Sequence, residues 1–309
     1  MIRVSSPSRI HISLIDMCGD LGRVDGGVGF AVKLPRTVVT AEPCETFRVE
    51  GPRADEVELK LSPLGLKGCL RIVSTPPPHV GLGSTTQLLL SSAKALTLLN
   101  GVNMNAFELA EMVGRGGTSG IGVRVFEEGG FVIDFGHALE LKGRPLPSGA
   151  SLTTPPPSIR LRFPESWRVI MVFPEEGGPY DEKKEVNVFL EKTPLEPTEC
   201  DRVSRIVLMM LIPSIITEDL DLFGKAVDAL QSVGFKKIEN DIQGLEVKEV
   251  MRVVKSVVGF AGLSSMGPLV YTVVESDKVR MVKSKIERMV PEGFKVIASP
   301  PDNEGAKYG

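Results

Sequence analysis

The chain has 309 residues, enough for one large domain or two ordinary ones, and is 42% hydrophobic, so a sizeable core is available. Lysine plus arginine number 36 against 39 aspartate plus glutamate, a formal net charge of −3, and no basic run interleaves with aromatics, which excludes an obvious nucleic-acid surface. The longest strongly apolar stretch, residues 206–216, is too short to span a bilayer and contains Pro213, and the first residues lack the apolar centre of a secretory signal, so a cytoplasmic protein with no membrane partner is expected.

In chain order, short β-branched runs predict strands at 37–40, 46–49, 70–74, 122–125 and 130–134. Between them, Leu88, Leu89, Leu96 and Leu99 share one stripe of a helix over 84–99, with Ser84 or Thr85 as N-cap and Asn100 and Gly101 as the stop. A shorter helix over 106–113 ends at Gly114. The proline run 155–157 reads as a linker, which divides the chain into 1–157 and 158–309. Beyond it the pattern predicts a strand at 168–173, helices around 202–211, 220–233 and 248–258, a strand at 269–274, a helix at 278–289 and a strand at 294–299. That order suits an α+β sandwich with helices on one face of an antiparallel sheet. Cys18, Cys44, Cys69 and Cys200 show no ligand spacing, so four reduced thiols are expected rather than zinc or disulfides.

One segment carries chemistry by itself. A strand ending near Ser74 runs through prolines into Gly81, Leu82, Gly83, Ser84, Thr85 and Thr86, and then into the helix. The two glycines permit positive φ and close backbone approach to a ligand. The open N–H groups of the first turn and the helix dipole attract an anion, and the hydroxyls add donors or reach a bound Mg²⁺. No GK[ST] follows and no GxGxxG matches, so neither a Walker loop nor a dinucleotide fingerprint is present. An ordinary capped helix is the plainer alternative.

Residues 77–85, PPHVGLGST, resemble the second motif of the GHMP kinase superfamily. Residues 262–268, GLSSMGP, with Ser264, Ser265 and Gly267, resemble its third motif, a glycine turn packed beside the phosphate loop, and residues 7–16 resemble its first. The resemblance implies a two-domain fold, an N-terminal β-α domain with the phosphate loop and a C-terminal ferredoxin-like α/β sandwich. One departure stands out. Mevalonate-type kinases carry SGxD, whose Asp serves near the acceptor hydroxyl, whereas this chain reads Ser119, Gly120, Ile121, Gly122. Glycine cannot orient or deprotonate a hydroxyl.

Residues 9–32, GGFVIDFGH at 129–137, PESW at 164–167 and SSMGPLVYTV at 264–273 are similar to one branch, the β-ribofuranosylaminobenzene 5′-phosphate synthase family. That resemblance implies a decarboxylating, ATP-independent glycosyltransferase (pentosyltransferase) of tetrahydromethanopterin biosynthesis, joining phosphoribosyl pyrophosphate to 4-aminobenzoate with loss of CO₂ and pyrophosphate. It also implies Mg²⁺ and a homodimer. The alternatives are a GHMP-family ATP-dependent kinase using a base from elsewhere, or a catalytically silent phosphate-ligand binding protein.

Within this frame Asp16 is the candidate for Mg²⁺ or ribose hydroxyls, with a strand-end cap as the alternative, and Ser84 is the second Mg²⁺ candidate. Arg23, set among glycines, offers a bidentate fork to pyrophosphate or carboxylate, and Arg115 is a similar candidate. His11, His79 and His137 all fall inside matched motifs; His79, two residues before the glycine loop, joins Asp16 and Arg23 as a catalytic candidate, and His11 as a phosphate donor. No HxxxH or HxH spacing supports a histidine metal site. Asp134 reads equally as a site residue or a turn residue.

Overall fold

The computed structural model describes residues 1–147, 150–151, 154–175, 177–178 and 182–309. The chain opens with a long antiparallel hairpin, β1 (Ile2–Asp16) and β2 (Arg23–Glu42), whose register sets His11 opposite Gly29 and Asp16 opposite Asp25. Bulges at Ser6/Ser8 and His11/Ser13 re-aim the β1 side chains twice. β3 (Phe47–Glu50), α1 (Ala54–Leu61) and β4 (Gly68–Ser74) follow, with β3 parallel to β4 as a helical crossover requires.

Next come α2 (Ser84–Leu99), α3 (Ala106–Val113), α4 (Ile121–Glu128), β5 (Phe131–Asp134), β6 (His137–Ala138), the single turn α5 (Leu139–Lys142) and β7 (Ser158–Leu161). The first sheet runs β3-β4-β2-β1, with β5 also on β2 and β7 on β5. Leu88, Leu89 and Leu96 of α2, Leu109 of α3 and Val123 and Phe126 of α4 bury against Val4, Val39, Leu70 and Ile72 of this sheet.

The second half supplies β8 (Trp167–Pro174), α6 (Glu182–Lys192), α7 (Pro197–Ile206), a π-helical continuation over Val207–Leu211 into α8 (Ile212–Ile216), α9 (Leu220–Leu230), α10 (Gly234–Asp241) and α11 (Leu245–Val258). It closes with β9 (Gly262–Leu263), β10 (Val270–Glu275), α12 (Val279–Glu287), β11 (Phe294–Ser299) and β12 (Lys307–Tyr308). Its antiparallel sheet has the order β11-β8-β10-β9. Alternation along β8 explains what covers each face. Ile170 and Val172 pack under α11 and α12 through Val250, Val254 and Ile286. Val169, Met171 and Phe173 point the other way, to α7, α9 and the first sheet's Ile10, Ile12 and Phe30. Phe30 stacks on Phe163 with ring centroids 4.4 Å apart, so the two halves share one core.

The α+β, two-sheet reading holds, with three differences. Residues 122–125 are helix, not strand: Val123, Val125 and Phe126 all bury from a helix between Gly120 and Gly129, so tertiary burial overrides β-branched propensity. The C-terminal sheet is covered on both faces rather than one, because the domain interface fills the second face with helix and sheet together. Pairing crosses the proline run, since β7 pairs with β5, and β12 returns from the far terminus to pair with β1. Cys44 and Cys69, 25 residues apart, form a disulfide at the β3–β4 edge, while Cys18 and Cys200 are free thiols. The spacing rule misses this pair because it is the pairing of β4 with both β2 and β3 that brings the two together. Among the described residues no helix is long and apolar enough to cross a membrane.

Candidate active site

The glycine loop stands where three segments cross. Gly81 takes φ 99° and a Cβ there would lie 2.6 Å from the Ser264 carbonyl oxygen, so only glycine permits this approach. Three segments are stitched together through it. The Arg9 guanidinium donates to Gly81 O at 2.7 Å, and Ser264 Oγ donates to the same oxygen at 2.7 Å. Ser264 Oγ in turn accepts from His11 N at 3.0 Å, and Ser265 N donates to His11 O at 3.0 Å. Ser264 is fully buried and therefore holds the loop rather than facing a ligand.

α2 starts one residue earlier than the hydroxyl-cap expectation. Its N-cap is Gly83 at φ 66° with no side-chain cap, which puts Ser84, Thr85 and Thr86 in the first turn. The first helical bond runs from Gln87 N to Gly83 O at 3.1 Å, so the N–H groups of residues 84–86 precede the ladder and offer themselves to an anion. Two guanidinium groups bracket the hydroxyls. Arg53 donates to Ser84 Oγ at 2.9 Å and Thr85 Oγ1 at 2.6 Å, and Arg115 Nε donates to Thr86 Oγ1 at 3.2 Å. Arg53, held by Glu56 at 2.7 Å, was not legible in the sequence; nothing but a Gly-Pro turn precedes it.

The cavity over this loop is lined by Arg9, His11, His79, Gly81, Gly83, Ser84, Thr85, Thr86, Arg115, Ser265 and Gly267, which gathers most of the expected binding residues from three distant parts of the chain. Leu14, Ser119 and Met266, which lie inside matched segments but were not singled out, complete the lining with Thr118, Pro147, Glu185, Phe189 and Glu239, which carry no sequence signal of their own. Burial, reinforced by the Arg9 and Lys236 charges, holds His11 well below the usual imidazole range, so it stands neutral beside the loop. Burial also brings Arg9 down to about 10, against the attraction of Glu185 and Glu239. A second cavity, between α9, α11 and β10, is lined by Gly224, Lys225, Phe260 and Val274 among others and holds none of the expected site residues.

Four expected site residues lie outside this lining. Leu82 is 1% exposed, its side chain in the shared core and only its carbonyl engaged, with Arg9 N. Arg23 is exposed and spends its fork on the carbonyls of Phe135 (3.0 Å) and Gly136 (2.6 Å), so it fixes the turn after β5. Asp16 Oδ1 accepts from Cys18 N and Gly19 N, both at 2.9 Å, which is the strand-end cap. Ser264, fully buried, donates to Gly81 O and holds the loop from behind.

Neither expected Mg²⁺ ligand fits that ion. Ser84 Oγ faces the Arg53 cation at 2.9 Å and donates to Pro77 O at 3.0 Å. Asp16 sits with the Cys18 and Cys200 thiols, their donor atoms all within 4.8 Å of one another, a soft set unlike the oxygen cage magnesium requires.

Behind the Thr118–Ser119 wall lies a buried charge cluster. Asp25 Oδ2 accepts from His137 Nδ1 at 2.9 Å and pairs with Lys142 Nζ, and Lys142 also donates to Gly117 O at 2.7 Å. Asp134 Oδ2 accepts from Ser119 Oγ at 2.9 Å and from Gly120 N at 3.2 Å. Burial raises this carboxyl to about 7. Asp134 therefore holds the wall and His137 braces Asp25 behind it; neither lines the cavity.

Residues 53–130 match the GHMP kinases N terminal domain. Over the whole chain, the homoserine kinase of Cytophaga hutchinsonii superposes with a TM-score of 0.68 at 15% identity, covering 100% of this chain and 97% of that one. The mevalonate diphosphate decarboxylase of Enterococcus faecalis gives 0.65 at 14%, covering 100% and 98%. These establish the fold alone. The β-ribofuranosylphenol 5′-phosphate synthase of Archaeoglobus fulgidus is 38% identical over 316 residues, 99% of both chains. That of Methanothermobacter thermautotrophicus is 37% identical over 321 residues, 98% of this chain and 97% of its own.

The chain belongs to the β-ribofuranosylphenol 5′-phosphate synthase family. It is thus an enzyme, a synthase built on a GHMP-kinase scaffold, and the kinase alternative is not favoured. Gly122 shows how the scaffold was vacated for other chemistry. It lies in the first turn of α4, and a Cβ there would meet Thr86 Cγ2 at 3.2 Å and Oγ1 at 3.9 Å, so a kinase-type carboxylate would project toward the phosphate loop. The family name carries a phenol where the sequence reading expected an aminobenzene, a hydroxyl in place of an amino group.

Proposed function

We propose that this enzyme joins phosphoribosyl pyrophosphate to a benzoate with an electron-donating para substituent, releasing CO₂ and pyrophosphate. The ring carbon that bears the carboxylate attacks the anomeric carbon, and the C–O bond to pyrophosphate breaks. The C–CO₂ bond then breaks, and its electron pair restores the aromatic ring. No acceptor hydroxyl is deprotonated, which suits a site with Gly122 in place of a carboxylate.

The observation that carries the reading is the loop itself: first-turn N–H groups of α2 and the hydroxyls of Thr85 and Thr86 stand between Arg53 and Arg115. Such a cradle stabilises the charge that gathers on departing pyrophosphate. His79 and Arg115, which face the same cavity, are assigned to the phosphates, and neutral His11 to a hydrogen bond with the sugar or phosphate. Magnesium belongs to the proposal only as a counter-ion arriving on the diphosphate oxygens, which are the hard donors it prefers. A homodimer in the cytoplasm completes it, and light scattering checks the former.

For the para substituent, the relatives' name favours 4-hydroxybenzoate, and 4-aminobenzoate has the same donor geometry. The test incubates the protein with Mg²⁺, phosphoribosyl pyrophosphate and each carboxyl-labelled benzoate in turn. Labelled CO₂ and pyrophosphate released in equal amounts are expected. A folded protein that releases neither overturns the proposal, and ATP turnover with small alcohols would return the site to the kinases.

A further inference from the structure

The cavity has two unlike ends. The phosphate end is polar and cationic, as described. The other end is built by α6 and α10, where Leu14, Phe189 and Met266, all under 7% exposed, form an apolar cluster with Phe235. The Phe189 and Phe235 rings lie 4.7 Å apart at 56°, which fixes the Phe189 ring face. Two carboxylates border this apolar end. Glu185 is one turn before Phe189 on α6, and Glu239 is one turn after Phe235 on α10; both line the cavity.

Glu239 is the better fixed of the two. It is 3% exposed and paired with Lys236, which is fully buried. Lys236 Nζ also donates to Leu263 O at 3.1 Å and Ser265 O at 3.2 Å, so Glu239 is tied to the third glycine turn.

The reaction geometry decides how a ring must lie. The carbon that attacks has to meet the anomeric carbon, and the pyrophosphate leaving that carbon belongs to the α2 end. A para substituent sits across the ring from the attacking carbon, so it points at the α6–α10 wall. Hydroxyl and amino groups both present a hydrogen to be donated, and an ionised carboxylate only accepts. We propose that Leu14, Phe189 and Met266 form the aryl-acceptor subsite, and that Glu239 accepts the hydrogen bond of the para hydroxyl or amino group.

This inference rests on the synthase reading above and adds a reason for its acceptor specificity. A carboxylate pulling on the para O–H or N–H pushes electron density toward the carbon that attacks. It also leaves a buried carboxylate oxygen without a donor when the substituent has no hydrogen, and it repels a second carboxylate.

The experiment measures KM and kcat for both substrates in wild type, Phe189→Ala, Phe189→Leu and Glu239→Gln, with 4-hydroxybenzoate, 4-methoxybenzoate and terephthalate compared as competitive inhibitors against 4-aminobenzoate. Phe189→Ala is expected to raise KM for the benzoate about tenfold and leave KM for phosphoribosyl pyrophosphate within about twofold, with Phe189→Leu between them. Glu239→Gln is expected to shrink the preference for hydroxy over methoxy by about tenfold and to admit terephthalate. Methoxy donates electrons as hydroxyl does but has no hydrogen, so this readout separates a hydrogen bond from simple ring activation. Unchanged benzoate KM in the Phe189 variants, or equal losses for both substrates, overturns the subsite. An unchanged hydroxy-to-methoxy ratio in Glu239→Gln overturns the role of Glu239. A wild type that turns over neither benzoate defeats the synthase reading instead, and the subsite with it.

Discussion

Replacing Gly122 by aspartate restores a carboxylate where mevalonate-type kinases carry one, and its effects on stability and on binding have opposite signs. Gly122 is the second residue of α4 and its φ is not in the left-handed region, so the backbone accepts a side chain; the Thr86 methyl at 3.2 Å must give by a few tenths of an ångström. The bond from Gln87 Nε2 to Gly122 O, 2.8 Å, involves only backbone at that position and survives. An acid in a helix's first turn gains about 0.3–1 kcal/mol from the dipole, and removing a helical glycine adds up to about 1 kcal/mol. The fold is therefore kept. Binding moves the other way. With the new charge about 5 Å from a phosphate held at Thr86 and an effective dielectric near 20, each pair of like charges repels by about 3 kcal/mol. That is about two orders of magnitude in affinity. Gly122→Asn supplies the same bulk without charge. We expect calorimetric titration of phosphoribosyl pyrophosphate to show Gly122→Asp about a hundredfold weaker than Gly122→Asn, with a midpoint of thermal unfolding no lower. Equal affinity of the two variants would refute a phosphate beside Thr86.

Three further outcomes follow from the buried groups and the disulfide. Burial puts the Asp134 carboxyl at about 7 against an ordinary 3.8, so between those values the folded chain holds a proton that the unfolded chain has released. Wild-type stability therefore falls as pH rises from about 4 to about 7 relative to Asp134→Asn, by a few kcal/mol, and urea unfolding at several pH values measures it; a constant difference would contradict the raised carboxyl. Asp25→Asn leaves Lys142 buried at 1% exposure without its anion and is expected to cost about 3–5 kcal/mol in the same assay, whereas a loss under about 1 kcal/mol would mean that the pair is not formed. Cys69→Ser opens the loop of 25-residue separation and is expected to cost about 3 kcal/mol, with reduced wild type matching it; no effect of reductant on wild type would place the thiols apart.

The glycine loop and the helix it opens were legible in the sequence because their physics is local. Positive φ at Gly81 and Gly83, hydroxyls in a first turn and a leucine stripe behind them need only neighbours within one turn of helix. For the same reason Asn100 and Gly114 ended their helices where expected, and β11 matched residue for residue. The family branch was legible through runs of residues, most of them on the β1–β2 hairpin.

What the tertiary structure decided are the facts that depend on partners far along the chain. Arg53 reaches Ser84 across 31 residues, and Glu185, Phe189 and Glu239 reach the cavity from helices with no motif. Asp16 and Arg23 carry the right chemistry in sequence, yet backbone groups engage them instead, two and three residues on for Asp16 and 112 and 113 residues on for Arg23. Burial above all separates His11 and Asp134 from ordinary members of their kind, and burial is a property of the whole fold. The sequence thus determined where an open helix end stands, on which the proposed anion site rests, since one helix end needs only its near neighbours. Which groups surround the anion, and where an aromatic ring fits beside it, required two sheets packed through a shared core.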